Sequence, residues 1–153
     1  MDITWYGHSC FRITERGKAT VVTDPYDESI GYAPLNIKAD VVTISHDTPG
    51  HAHVAGVREW QFAITRPGEY EIGGVFIIAT PIIDKKADGS RYNVVYTFDY
   101  GNLNVAHLGD LSHVPSQSSL EALGEVHVVM VPVGAGGALS AGQAAEVIGM
   151  LEP

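Results

Sequence analysis

Apolar and polar residues follow one another in short bursts along the first half of the chain, each too brief for a helix. Residues 2–6, 9–14 and 19–23 are rich in β-branched and aromatic side chains, with turn signals at Gly7 and at Arg16-Gly17, a pattern that predicts a β-meander. Residues 40–45 (DVVTIS) form a nearly unbroken apolar run, as expected of a strand covered on both faces, and deliver the chain to His46. Pro49 and Gly50 impose a sharp turn before a helix can start around Val54. Residues 61–64, 74–83, 92–99 and 103–108 supply four more strands, the last two joined through Tyr100, Gly101 and Asn102 as a hairpin. The polar segment 85–91, with Gly89, reads as a surface turn.

After Asp110 the period lengthens. Ser118 with Glu121 has the spacing of a capping box opening a short helix, and residues 126–133 read as a buried strand of the parallel-sheet kind. Ser140 with Gln143 repeats the box and opens a helix over 141–151, with Ala144, Val147, Ile148 and Leu151 on one face. Strands followed by strand and helix make a layered α+β protein with α/β-type layers. The 153 residues fit a single domain.

Charge narrows the partners. Nine Lys and Arg against 18 Asp and Glu give a formal net charge of -9, which disfavours nucleic acid, since such a field repels a polyanion. No apolar run approaches the ~18 to 20 residues that span a bilayer, so no membrane partner is expected. The single Cys10 excludes a disulfide framework and a cysteine-built zinc site, and reads as a buried structural thiol; the expected compartment is the cytoplasm.

The ligand-capable residues fall in a telling place. Asp24, His46 and Asp110 each directly follow an apolar strand, and the glycine-rich loop 134–137 follows another, so four loops can converge beyond the strand ends. That loop could cradle phosphate, although glycine runs more often mark tight turns. Asp110 could equally cap the turn at Gly109. His107, an odd number of strand positions before Asp110, is expected to face the other side as a core or helix-facing histidine. His53, His113 and His127 read as surface or loop residues. No GxSxG elbow is present.

Five stretches in order, TWYGHSCFRI, VVTDP, ADVVTISHD, AHLGDLSH and VPVGAGG, resemble the metallo-β-lactamase-fold hydrolases, most closely the ascorbate-6-phosphate lactonase-like branch. The resemblance covers the whole chain and implies an αβ/βα four-layer sandwich, two sheets face to face with helices outside. It also implies a two-metal site with an HxHxDH loop, a later histidine, an aspartate in a strand-end GD and a final histidine. His46, His51 and Asp110 match. Thr48, Gly50 and Ile83 stand where the pattern has ligands, and the last histidine would lie beyond Pro153, so the domain reads as lacking its C-terminal portion.

The resemblance therefore implies metal ligands His46, His51 and Asp110, with Asp24, His8 and Asp47 as substitute ligands or as acceptors behind the ligands. The expected cofactor is zinc or another divalent metal, or none. Two functions stay open: a metal-dependent hydrolase, with an activated hydroxide attacking a lactone, ester or phosphoester as its small-molecule substrate, or a catalytically inactive relative serving as a binding or assembly module. A homo-oligomer is a further expectation, because a second copy could cover apolar surface that a terminal strand would otherwise bury.

Overall fold

The period-two bursts become two five-stranded sheets. The structure is a computed structural model and describes residues 1–86, 89–134 and 136–153, with side chains described outside 84–91. β1 (Asp2–Gly7), β2 (Cys10–Thr14) and β3 (Val21–Thr23) form the expected antiparallel meander. β4 (Ile37–Lys38), β5 (Val41–Thr43), β6 (Val57–Arg58) and β7 (Phe62–Ile64) follow, and β5 lies between β3 and β7, parallel to both. Flanked on both sides, its Val41, Val42 and Thr43 are all buried.

The second sheet is built from β8 (Gly68–Ile72), β9 (Val75–Lys86), β10 (Gly89–Asp99), β11 (Asn104–His107) and β12 (Val128–Met130), in the order β12-β11-β10-β9-β8. β11 and β12 run parallel, as the apolar run of residues 126–133 predicts. The sheets face each other across a core that joins Ile13, Val21, Val41 and Ile64 to Ile77, Val94, Tyr96 and Phe98. Removing each such aliphatic side chain from water is worth about 1.5–3 kcal/mol. Tyr96 sits fully buried in this layer and gives its hydroxyl to the carbonyls of Ile44 and Ile64, both at 2.8 Å, satisfying a polar group that burial would otherwise penalise.

α1 (Gln117–Glu121) and α2 (Ala141–Leu151) cover the outer face of the second sheet, where Leu120, Leu123, Ala144 and Val147 meet Ile82, Val95, Ala106 and Leu108. The outer face of the first sheet is closed differently. The helix expected around Val54 is a single 3-10 turn, Val54–Gly56, and with the β4–β6 ribbon it covers Cys10, Val22 and Val42. Among the described residues, both α-helices thus lie against one sheet.

Other differences have local causes. The first helix is capped by Ser116, whose hydroxyl accepts from the Ser119 amide, two residues earlier than the Ser118 spacing suggested; Ser118 lies inside the helix. The turn expected over 85–91 is shorter, because β9 runs to Lys86 and β10 starts at Gly89; its tip, 87–88, lies outside the described residues. The strand expected over 126–133 contracts to β12, leaving Val133 exposed. Ile148 is also exposed rather than part of the helix's buried face, which rests on Ala144 and Val147. No helix among the described residues is long and apolar enough to cross a membrane.

Candidate metal centre

Parallel pairing sets the site. Because β3 and β5 run side by side in register, both release the chain at the same edge, and the Asp24 amide still donates to the Thr43 carbonyl at 2.8 Å. Beyond β5 the loop winds tightly, with Thr48 N on His46 O at 3.1 Å and His51 N on Thr48 O at 2.9 Å. This turn returns His51 to His46, their ring centroids 4.3 Å apart.

The opposite sheet supplies the third group. Asn93, fully buried on β10, donates from Nδ2 to the Leu108 carbonyl at 3.0 Å and accepts the Asp110 amide on Oδ1 at 3.1 Å, which fixes the turn after β11. Gly109 makes that turn at φ +64°, and a Cβ there would stand 2.5 Å from both Asn93 Oδ1 and Ser45 Cβ. Only glycine lets the two sheet edges close this far. The Val94 amide then bonds to the Ser45 carbonyl at 2.9 Å and ties the edges together.

His46, His51 and Asp110 consequently each offer a ligand atom, and the three atoms lie within 4.8 Å of one another. His46 Nε2 stands 3.5 Å from Asp110 Oδ2, close to the ~3.4 Å that separates ligands held about 2.1 Å from one tetrahedral ion. Behind them is Asp24, completely buried, with Oδ2 2.7 Å from His51 Nδ1 and 2.6 Å from Ser45 Oγ, and Oδ1 2.7 Å from the Ser45 amide. Burial alone would raise the Asp24 pKa, but the hydrogen bond from His51, the nearby imidazoles and Ser45 hold it below the usual carboxylate value. Nδ1–H of His51 therefore points at a carboxylate, leaving Nε2 with a lone pair for a cation. Ser45 Oγ spends its hydrogen on Asp24 and can only accept from His46 Nδ1 at 3.3 Å, so His46 too presents Nε2.

This donor set, two imidazoles and a carboxylate with an acceptor behind, suits a zinc-type ion. Three donors serve one ion. At the positions where the resemblance puts further ligands, Thr48 Oγ1 bonds His46 Nε2 at 3.0 Å, Gly50 has no side chain, and Ile83 is exposed on β9. Asp47 is exposed and lies outside the cluster. His8 stands against His51, ring centroids 4.7 Å apart and edge to face, its pKa lowered by burial and by His51 against the pull of Asp110 and Asp24.

His107 is buried in the layer between the sheets and does not face the helices. Its Nε2 lies 3.0 Å from the Ser9 carbonyl and 3.2 Å from Ser9 Oγ, while Nδ1 has no hydrogen-bond partner among the described residues. Burial holds its pKa down. Sequence reasoning passed over Ser9, Ser45 and Asn93. Asn93 and Ser45 did carry a signal, a polar side chain beside apolar strand positions, which must find partners when buried. Cys10 is buried and free, its thiol pushed up to about 12 chiefly by burial, as befits a structural cysteine.

Beside the trio opens a cavity of about 590 Å³ whose walls include Trp5, Phe11, Tyr32, Met130 and Val133. Gly134 and Gly136 line its far side; Ala135 between them lies outside the described residues. The helix start behind them is already satisfied by the reciprocal Ser140–Gln143 box.

A family model, the beta-lactamase superfamily domain, matches residues 2–153. The chain belongs to this family. A UPF0173 protein of Pyrococcus furiosus is 28% identical over 177 residues, covering 100% of this chain and 80% of that protein. A UPF0173 metal-dependent hydrolase of Thermoplasma acidophilum is 21% identical, with the same coverage. Among solved structures, a Thermotoga maritima protein assigned to the Zn-dependent hydrolases of the metallo-beta-lactamase superfamily superposes with a TM-score of 0.77 at 39% identity, over 98% of this chain and 70% of that one. The metallo-β-lactamase fold inferred from the five ordered motifs is thus the fold of this superfamily member.

Proposed function

We propose that this chain is a metal-dependent hydrolase with one divalent ion, zinc or a similar cation, on His46, His51 and Asp110, acting on a small carboxylic ester or lactone. The observation that carries this reading is the convergence of the three donors on one another at the side of the cavity, which His51 and Asp110 line, with Asp24 and Ser45 orienting both imidazoles. When bound, such an ion supplies a Lewis acid and an acidified water. The names of the Thermoplasma and Thermotoga relatives point the same way.

The chain's own groups would do the rest. Asp24 holds the His51 tautomer, Ser45 holds that of His46, and Asn93 fixes the backbone of Asp110. Trp5, Phe11 and Tyr32 offer an apolar wall for the acyl or ring portion of a substrate. No Lys or Arg is among the described residues that line the cavity, and this favours an uncharged ester over a phosphoester, which calls for a cationic clamp. We place the protein in the reducing cytoplasm on the strength of its single, buried Cys10.

A second reading, a binding or assembly module without catalysis, is favoured by the Thr48 hydroxyl that sits on His46 Nε2. Metal analysis after growth in supplemented medium, together with turnover of an aryl acetate, a lactone and an aryl phosphate, separates the two. We expect about one equivalent of metal, lost in His46→Ala and Asp110→Ala together with at least ~100-fold of the ester or lactone activity. Less than about a tenth of an equivalent in the wild type would sink the hydrolase reading.

A further inference from the structure

His8 is poised where its imidazole has no evident structural duty. It follows Gly7, at φ +111°, and itself adopts φ +50°, a left-handed conformation that a bulky side chain takes up only at a cost. Trp5 Nε1 holds the turn by donating to the His8 carbonyl at 2.9 Å. The ring then leans over the metal loop: a Cβ built on Gly50 would meet His8 Cε1 at 3.3 Å and Nε2 at 3.5 Å. The imidazole thus stands in contact with the place a Cβ at position 50 would take, edge to face with His51 and on the wall of the same cavity.

Building on the proposed metal site, we infer that His8 is a further ligand of the ion, its imidazole supplying from the β1–β2 turn the donor that the Gly50 backbone cannot. Two imidazoles and one carboxylate leave positions open on a zinc-type ion, and His8, although outside the group of three whose ligand atoms lie within 4.8 Å of one another, packs edge to face against His51 on the cavity wall.

The test counts imidazoles directly, using zinc-loaded protein and X-ray absorption at the zinc edge. We expect three histidine scatterers in the wild type and two in His8→Asn, a replacement that tolerates the left-handed backbone. Zinc affinity, measured by competition with a chromophoric chelator, should fall about tenfold or more in that variant, with the melting transition retained. Two scatterers in the wild type would overturn the inference and leave the three-ligand site standing, and this result does not depend on the variant folding. Equal zinc affinity in both proteins would also overturn it. A wild type that takes up no zinc would overturn both this inference and the hydrolase reading.

Discussion

At the scale of single residues, the centre depends on one missing atom as much as on its ligands. Gly109 and Gly17 both have positive φ, +64° and +78°, but a Cβ at Gly17 meets nothing within 4 Å, whereas one at Gly109 collides with Asn93 and Ser45. Gly17→Ala should therefore cost about 1 kcal/mol, the conformational penalty alone. Gly109→Ala should cost roughly 3 kcal/mol, because it also forces the sheet edges apart. Urea melts of the two variants test this directly, and equal losses would show that the edges yield freely. Asp24, His46 and Asp110 stood out in the sequence because each directly follows an apolar strand. Ser9, Ser45 and Asn93 did not, because their roles are hydrogen bonds made across the fold, between residues as far apart as 9 and 107.

At the scale of elements, patterning worked wherever an element's face was decided locally. β5 was recognisable as a strand covered on both faces and β12 as a parallel-sheet strand from their apolar runs, and α2 from its reciprocal cap. β8 was missed because its Gly68–Ile72 sequence, GEYEI, alternates polar residues on an edge strand and offers little hydrophobic signal. The helix around Val54 failed because the chain there has to pair Val57–Arg58 with β4, and only a 3-10 turn fits before that pairing. The cap of α2 gives a clean prediction. Ser140→Ala removes the acceptor of the Gln143 amide and should lower stability by about 1 kcal/mol, with Ser140→Asp restoring most of it. Thermal melting of the pair decides the matter, and no loss in the alanine variant would mean that the helix is held by packing alone.

At the scale of the whole molecule, the buried ionisable groups make the fold sensitive to acid. His107 has an ordinary value of 6.5 that burial lowers in the folded protein, so the unfolded chain takes up a proton first as the pH falls. Stability should therefore drop as pH falls below about 6.5. Asp24, held below its ordinary 3.8, contributes stability above that value and loses it at more acid pH. Denaturant midpoints at pH 7.5 and 5.5 should differ in the wild type, and less so in His107→Gln. Identical midpoints in the wild type would mean that burial of the His107 imidazole carries no such linkage.

The order of strands and turns, the acidic balance and the placement of Asp24, His46 and Asp110 at strand ends belong to the sequence itself. They follow from local periodicity, and local periodicity places loops at the edges of sheets. Whether those loops form a site depends on distances between segments remote in the chain, and these emerge only when parallel pairing brings β3 beside β5 and the sheets close over Gly109. Tertiary structure alone therefore decided that two histidines and an aspartate meet within 4.8 Å, that Asp24 stands behind them, and that the ring of His8 stands against Gly50.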